Sequence, residues 1–117
     1  MPLKNKKRVQ RKAKPRVFLR QGQFHVYMLE CADGSFYTGY TNDLKKRVAL
    51  HNKGGGSKYV KTRLPAELIY FKPYKYFKLA ILEERRVKKL SRVLKEKMVH
   101  AFRKSKIKIK KILVKGG

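Results

Sequence analysis

Acidic residues are scarce in this 117-residue chain: seven Asp and Glu stand against 33 Lys and Arg, for a formal charge of +26. Such a chain repels itself and is drawn to polyanions, which makes nucleic acid the first partner to consider. A membrane surface is the weaker alternative, because no strongly apolar helix accompanies the charge. No apolar run approaches the length of a membrane span. Cysteine is almost absent as well. The single Cys31 excludes an internal disulfide and, with no second Cys near it, a zinc knuckle. A reducing cytoplasm fits this usage, with association to the nucleoid as a variant. The first twenty residues, MPLKNKKRVQRKAKPRVFLR, lack the apolar core of a secretory signal. They also lack the serine richness and amphipathic period of a mitochondrial presequence. The length leaves room for one domain with one modest core.

What is abundant is unevenly placed. Residues 1–22 carry nine Lys and Arg and no acid, and residues 103–117 carry seven and no acid. All seven acids fall within 23–102. The expected organisation is therefore a basic, disordered tail at 1–22, a globular domain at 23–102 and a second basic tail at 103–117. Blocks of like charge with few apolar residues bury too little surface to offset chain entropy. In the second tail, Lys and Ile alternate from Lys106 to Lys110 with period 2. That pattern suits an edge strand guarded by lysines, or a tail that orders on a nucleic-acid backbone; the tail is preferred.

Between the tails, Gln23 to Ala32 is apolar and aromatic and reads as a strand. Asp33-Gly34 marks a hairpin, as a type I′ turn needs φ > 0 at both central positions. FYTGYT is the return strand. Alternation puts Tyr27, Leu29 and Cys31 on one face and Val26, Met28 and Glu30 on the other. Thr41 or Asn42 can cap a helix over 43–53, with Leu44, Val48 and Ala49 toward the sheet. Arg47 and His51, four apart, share one side of that helix. GGGSKY reads as a flexible loop whose backbone N–H groups are open to an anion. PAELIYF is a third strand, Phe77 to Lys89 a second helix, and Ser91 caps a third. The expected fold is α+β: a three-stranded antiparallel sheet flanked by helices, in the order ββαβαα.

Tyr27 in HVY, YTG at 37–39 and Arg47 ten residues after Tyr37 together resemble the GIY-YIG nuclease domain. KYVKTRLPAELIY and RRVKKLSR are similar to its small stand-alone bacterial members of the UPF0213 type. The likeness covers residues 24 to about 99. It implies an endonuclease that hydrolyses phosphodiester bonds in DNA, or in RNA or other structured nucleic acid, using one Mg²⁺ or Mn²⁺ ion. Phosphodiester hydrolysis needs charge stabilisation at phosphorus, a group to activate water and a fork to hold the phosphate. The resemblance assigns water activation to Tyr27, phosphate contact or assistance to Tyr37, and the bidentate phosphate grip to Arg47. His51 takes a position that contacts phosphate or moves a proton, and Glu84 that of the metal-binding glutamate. Tyr40, Lys58, Tyr59, Lys61 and Arg63 are expected on the nucleic-acid surface, with Tyr59 either stacked on a base or anchoring its loop.

Each residue taken alone has a plainer reading. Tyr27 and Tyr37 suit ordinary half-buried strand positions, Arg47 is one cation among 33, and a helix His beside an apolar stripe is commonly structural. Glu83 rivals Glu84. Ala80, Glu84 and Val87 follow helical spacing on one face, which turns Glu83 away from it. The sequence departs from the family pattern at His25, where the first motif has glycine, and at Tyr40, where some branches carry lysine. The rival function is a non-catalytic RNA-binding or ribosome-associated protein built on the same fold. A protein partner is a further expectation for so small a domain.

Overall fold

A computed structural model describes residues 20–116, with side chains described as far as Ser105. Residues 1–19, where a disordered tail is expected, lie outside the described residues. Strand β1 (Gln21–Glu30) is central and pairs antiparallel with β2 (Phe36–Thr41) on one side and β3 (Glu67–Tyr76) on the other. Helices α1 (Leu44–Asn52), α2 (Lys58–Lys61), α3 (Phe77–Lys88) and α4 (Arg92–Gly116) complete the chain. The expected ββαβαα order holds, with the one-turn α2 added inside the glycine-preceded loop. β1 begins two residues inside the segment read as tail.

Alternation along β1 sorts the core into two layers. Phe24, Val26 and Met28 point to the face covered by α3 and α4, where they meet Ala80, Val87 and Val99. Leu29 and Cys31 point to the opposite face and pack with Val60, Ala66 and Val48. Both faces of β1 are thus dry, which suits its aromatic and β-branched composition.

The β1–β2 connection differs from a two-residue type I′ turn. Cys31 N–H donates to Ser35 O at 2.8 Å and Gly34 N–H to Cys31 O at 2.9 Å, so Ala32, Asp33 and Gly34 form a three-residue loop. Only its last position needs the left-handed region, and Gly34 supplies φ 85°. Asp33 is therefore free to take another role: its carboxylate accepts from Ser35 N and from Arg63 Nε, each at 3.0 Å.

Asp43, rather than Thr41 or Asn42, caps α1, accepting from Lys46 N at 3.1 Å. Thr41 Oγ1 sits one step back and accepts from Asp43 N. Val48 packs beneath the helix, whereas Ala49 is exposed. The helix ends in a Schellman motif. Gly54, at φ 84°, donates to His51 O, and Gly55 donates to Leu50 O. These N–H groups close the helix and are not open to an anion.

β3 continues past the expected PAELIYF through Pro73 to Tyr76. It is an edge strand with one side unpaired, where the missing proline N–H costs no ladder bond. At the far end, α4 runs helically through Lys106–Lys110, so the Lys/Ile run forms neither an edge strand nor an irregular tail. A helix already nucleated at Ser91 propagates at little cost, and no Gly or Pro interrupts it before Gly116. The side chains of 106–117 lie outside the described ones.

Asn52 ties α1 to the start of β3. Its amide accepts from Ala66 N at 2.8 Å and donates to Ala66 O at 2.9 Å. Asn52→Ala leaves both groups of a buried residue unpaired and is expected to destabilise the fold by about 2 kcal/mol. Urea denaturation should rank Asn52→Asp, which keeps the acceptor and loses the donor, between wild type and Asn52→Ala.

Candidate active site

The strand register decides what stands next to Tyr27. Gly39 lies directly opposite it and Tyr37 opposite Leu29, so the two tyrosines meet on the diagonal with ring centroids 6.4 Å apart. A Cβ at position 39 would lie 2.7 Å from Tyr27 Oη, which explains the glycine of YTG: the phenol lies across its backbone. Tyr27 is wholly buried, and its hydroxyl is 2.9 Å from Nε2 of His51, itself 1% exposed. His51 also touches Tyr37, edge to face at 5.3 Å.

His51 is held from behind. Ser57 N–H donates to Nδ1 at 3.4 Å, and a Cβ on Gly56 would collide with the imidazole ring. A neutral imidazole whose Nδ1 accepts carries its proton on Nε2. His51 is therefore the donor to Tyr27 Oη, and the phenol's own proton points elsewhere. Burial lowers the His51 pKa, with the nearby Arg47 charge adding to the effect, so the neutral ring is favoured. Burial foremost, and then Tyr37, pushes the Tyr27 pKa up to about 12, against a smaller downward pull from the charge and hydrogen bond of Arg47.

Beside this pair opens a cleft of about 390 Å³, lined among others by Tyr27, Tyr37, Gly39, Arg47 and Glu84. β1, β2, α1 and α3 each contribute. Glu84, with 13% of its side chain exposed, reaches the cleft from α3, and Lys88 holds its Oε2 at 3.0 Å. Glu83 turns the other way: it forms a two-pronged pair with Arg86 and faces Tyr70 and Lys72, in a groove between β3 and α4. Helical spacing had distinguished the two, and their surroundings differ accordingly.

The remaining candidates separate. Tyr40 lines the cleft with its ring edge to face on Phe77, 5.8 Å away. Tyr59 stacks on Tyr37 at 6.2 Å and carries the Arg63 guanidinium 3.8 Å from its centroid. Arg63 in turn binds Asp33, Tyr59 O and Thr62 Oγ1. Tyr59 and Arg63 thus anchor α2 to the hairpin loop. Lys58 and Lys61 are exposed on α2 and do not line the cleft. His51 lies behind Tyr27, without access to the cleft. One cleft residue escaped sequence reading: Arg20, which sat inside the run assigned to the tail. The only signal for it was its place one residue before the first strand.

The model of the GIY-YIG catalytic domain matches residues 23–98. A UPF0213 protein of Halobacterium salinarum is 47% identical over 72 residues, which is 62% of this chain and 94% of that protein. The UPF0213 protein YazA of Bacillus subtilis is 46% identical over 80 residues, covering 68% of this chain and 81% of YazA. Among solved structures, the solution structure of the UPF0213 protein BH0048 from Bacillus halodurans is 42% identical, covers 68% of this chain and 84% of that one, and superposes with a TM-score of 0.46.

Gly39→Ala should displace the Tyr27 ring and break its bond to His51. A loss of about 1–3 kcal/mol is expected from the crowding alone. Thermal unfolding, together with the imidazole NMR resonances of His51, checks this; unchanged resonances would mean that the ring and the added methyl coexist.

Proposed function

Because the chain belongs to the GIY-YIG family, we propose that it hydrolyses phosphodiester bonds in nucleic acid, with Tyr27 as the base, Arg47 as the phosphate grip and Glu84 as the ligand of one Mg²⁺ or Mn²⁺ ion. One arrangement carries the reading: a buried phenol bonded to His51 lines a cleft that also holds an arginine and a single carboxylate among the described residues.

The residues fit such an ion. Among the described residues Glu84 is the only carboxylate lining the cleft, and they hold no cluster of three or more His, Cys, Asp and Glu. Magnesium keeps several waters and commonly takes one or two carboxylates with substrate phosphate oxygens. When bound, the ion supplies charge stabilisation at the scissile phosphate. Arg47 offers a planar fork to the same group, a geometry that an ammonium lacks. In its phenolate form the Tyr27 oxygen, reached as Arg47 turns toward phosphate, takes the proton of an attacking water and becomes the neutral phenol. His51, fixed as a donor by Ser57, holds that oxygen in place and stabilises the phenolate before it takes the proton. Tyr37 supports the imidazole and borders the phosphate. No base-reading helix enters the cleft, so selection by the shape of DNA or of structured RNA is favoured over a fixed sequence. The basic termini add sequence-independent affinity through counterion release.

Glu84→Ala should abolish metal-dependent nicking across a panel of branched, single-stranded and duplex DNA and RNA, while binding in EDTA stays within about twofold of wild type. A wild type that cuts nothing on that panel with Mg²⁺ or Mn²⁺, yet binds RNA with steep salt dependence, is a binding protein instead.

The pH profile tests the assignment of the base. Below a pKa of about 12 the phenolate fraction of Tyr27 grows tenfold per pH unit, so log kcat/KM should climb by about one per unit from pH 7 to 9. A His51 base, with its pKa held below the ordinary value, would give a flat profile over that range. That outcome would move the base from Tyr27 to His51.

A further inference from the structure

We infer that Arg20, seated on Phe77, forms a second phosphate subsite in the cleft that Arg47 also lines, for the phosphate next to the scissile one on the substrate strand. The inference rests on the nucleic-acid reading above, but it needs only binding and no cleavage. Arg20 precedes β1, and its carbonyl accepts the N–H of Phe77, the first residue of α3, at 3.0 Å. Tyr76, at the N-cap of α3, makes no side-chain capping bond, so the backbone of Arg20 performs part of that task. This fixes the Cα of Arg20 at the junction of β1 and α3.

The side chain then turns back over its own anchor. The guanidinium carbon lies 4.4 Å from the Phe77 ring centroid and 5.8 Å from that of Phe24, and the two rings meet edge to face at 5.5 Å. Tyr40 also meets Phe77 edge to face, at 5.8 Å. An aromatic pad thus holds a cation at the cleft wall. A guanidinium packed on an aromatic ring keeps the donors along its edges available, and two of them match two phosphate oxygens. An ammonium in the same place would make neither the stack nor the fork.

Neighbouring charges point the same way. Asp33, Glu83, Glu84 and Glu96 each pair with Arg63, Arg86, Lys88 and Arg92 respectively. Among the described residues no carboxylate forms an ion pair with Arg20 or Arg47. Absence of a pair is ordinary for a base in a chain this rich in them. A basic side chain held at the cleft by two aromatic rings is not. The same cleft is lined by Gly39, Thr41 and Asn42, small or polar residues that leave room for a strand.

The test uses the full chain and a six-nucleotide single-stranded DNA labelled with a fluorophore, with binding followed by anisotropy in EDTA. Arg20→Leu keeps an apolar cover on Phe77 and should weaken binding about tenfold and lower the log–log salt slope by about one. Arg20→Lys should recover part of the affinity. Arg16→Leu, which removes the same charge from the basic N-terminal run, should stay within about twofold of wild type. Equal losses in Arg20→Leu and Arg16→Leu would overturn the subsite, because Arg20 would then be one more basic residue of that run. Wild-type binding by Arg20→Leu would overturn it too. Should Arg20→Leu fail to fold, as judged by thermal unfolding, Arg20→Gln gives the same comparison. A wild type that never cleaves, combined with a tenfold loss in Arg20→Leu, would discard the nuclease and keep the subsite.

Discussion

A single buried hydrogen bond, from His51 to Tyr27, organises the rest of the site. One end belongs to the central strand and the other to α1, and both side chains are out of water. A buried phenol or imidazole without a partner costs free energy comparable to a lost hydrogen bond, so each is tolerable there only because of the other. The pair imposes conditions on residues far apart in the chain. Position 39 must lack a side chain because the phenol lies over it. Position 56 must lack one because the imidazole lies against it. The Schellman ending of α1 is what delivers Gly56 and Ser57 to that ring. The glycine run therefore serves as a fixed support for His51.

The same bond separates the positions of four residues that the family resemblance had gathered into one group. Tyr27 and Arg47 meet at the cleft, Tyr37 bridges the cleft and the imidazole, and His51 stands behind them as a positioning residue. Glu84 arrives from the other face of the sheet, past its β2 edge. The cleft exists at that edge because β2 has no further strand beyond it. α1 and α3, which cover opposite faces, both border the opening. Charge is distributed to match. Most of the scarce acids are engaged with bases outside the cleft, which leaves Arg20 and Arg47 facing it with one carboxylate.

Much of the fold was legible. β1 reads as an unbroken apolar run over residues 26–29 because it is dry on both faces, Gly34 marks the hairpin, and Ser91 and the helical spacing of Ala80, Glu84 and Val87 marked the later helices. The misreadings have physical causes. Asp33-Gly34 suits either a two-residue or a three-residue loop, and the ladder register decided between them. Thr41, Asn42 and Asp43 are all competent caps, and the first hydrogen bond of α1 selected Asp43. Pro73 looks like a strand end until β3 is known to be an edge. The Lys/Ile alternation has the period of a strand, yet continuation of an existing helix costs less than starting a new element.

By itself the sequence determined the element types and the cationic character, while its resemblance to the GIY-YIG domain put Tyr27, Tyr37, Arg47 and Glu84 in one set. Element types and charge follow from local propensity and composition, which act within a few turns or residues of chain. Only the tertiary structure decided that His51 is enclosed and that Tyr59 and Arg63 anchor a loop. It alone brought Arg20, 27 positions before Arg47, into the same cleft. These depend on strand register and on which faces the helices cover, and a one-residue slip in either would have placed the same side chains on opposite sides of the sheet.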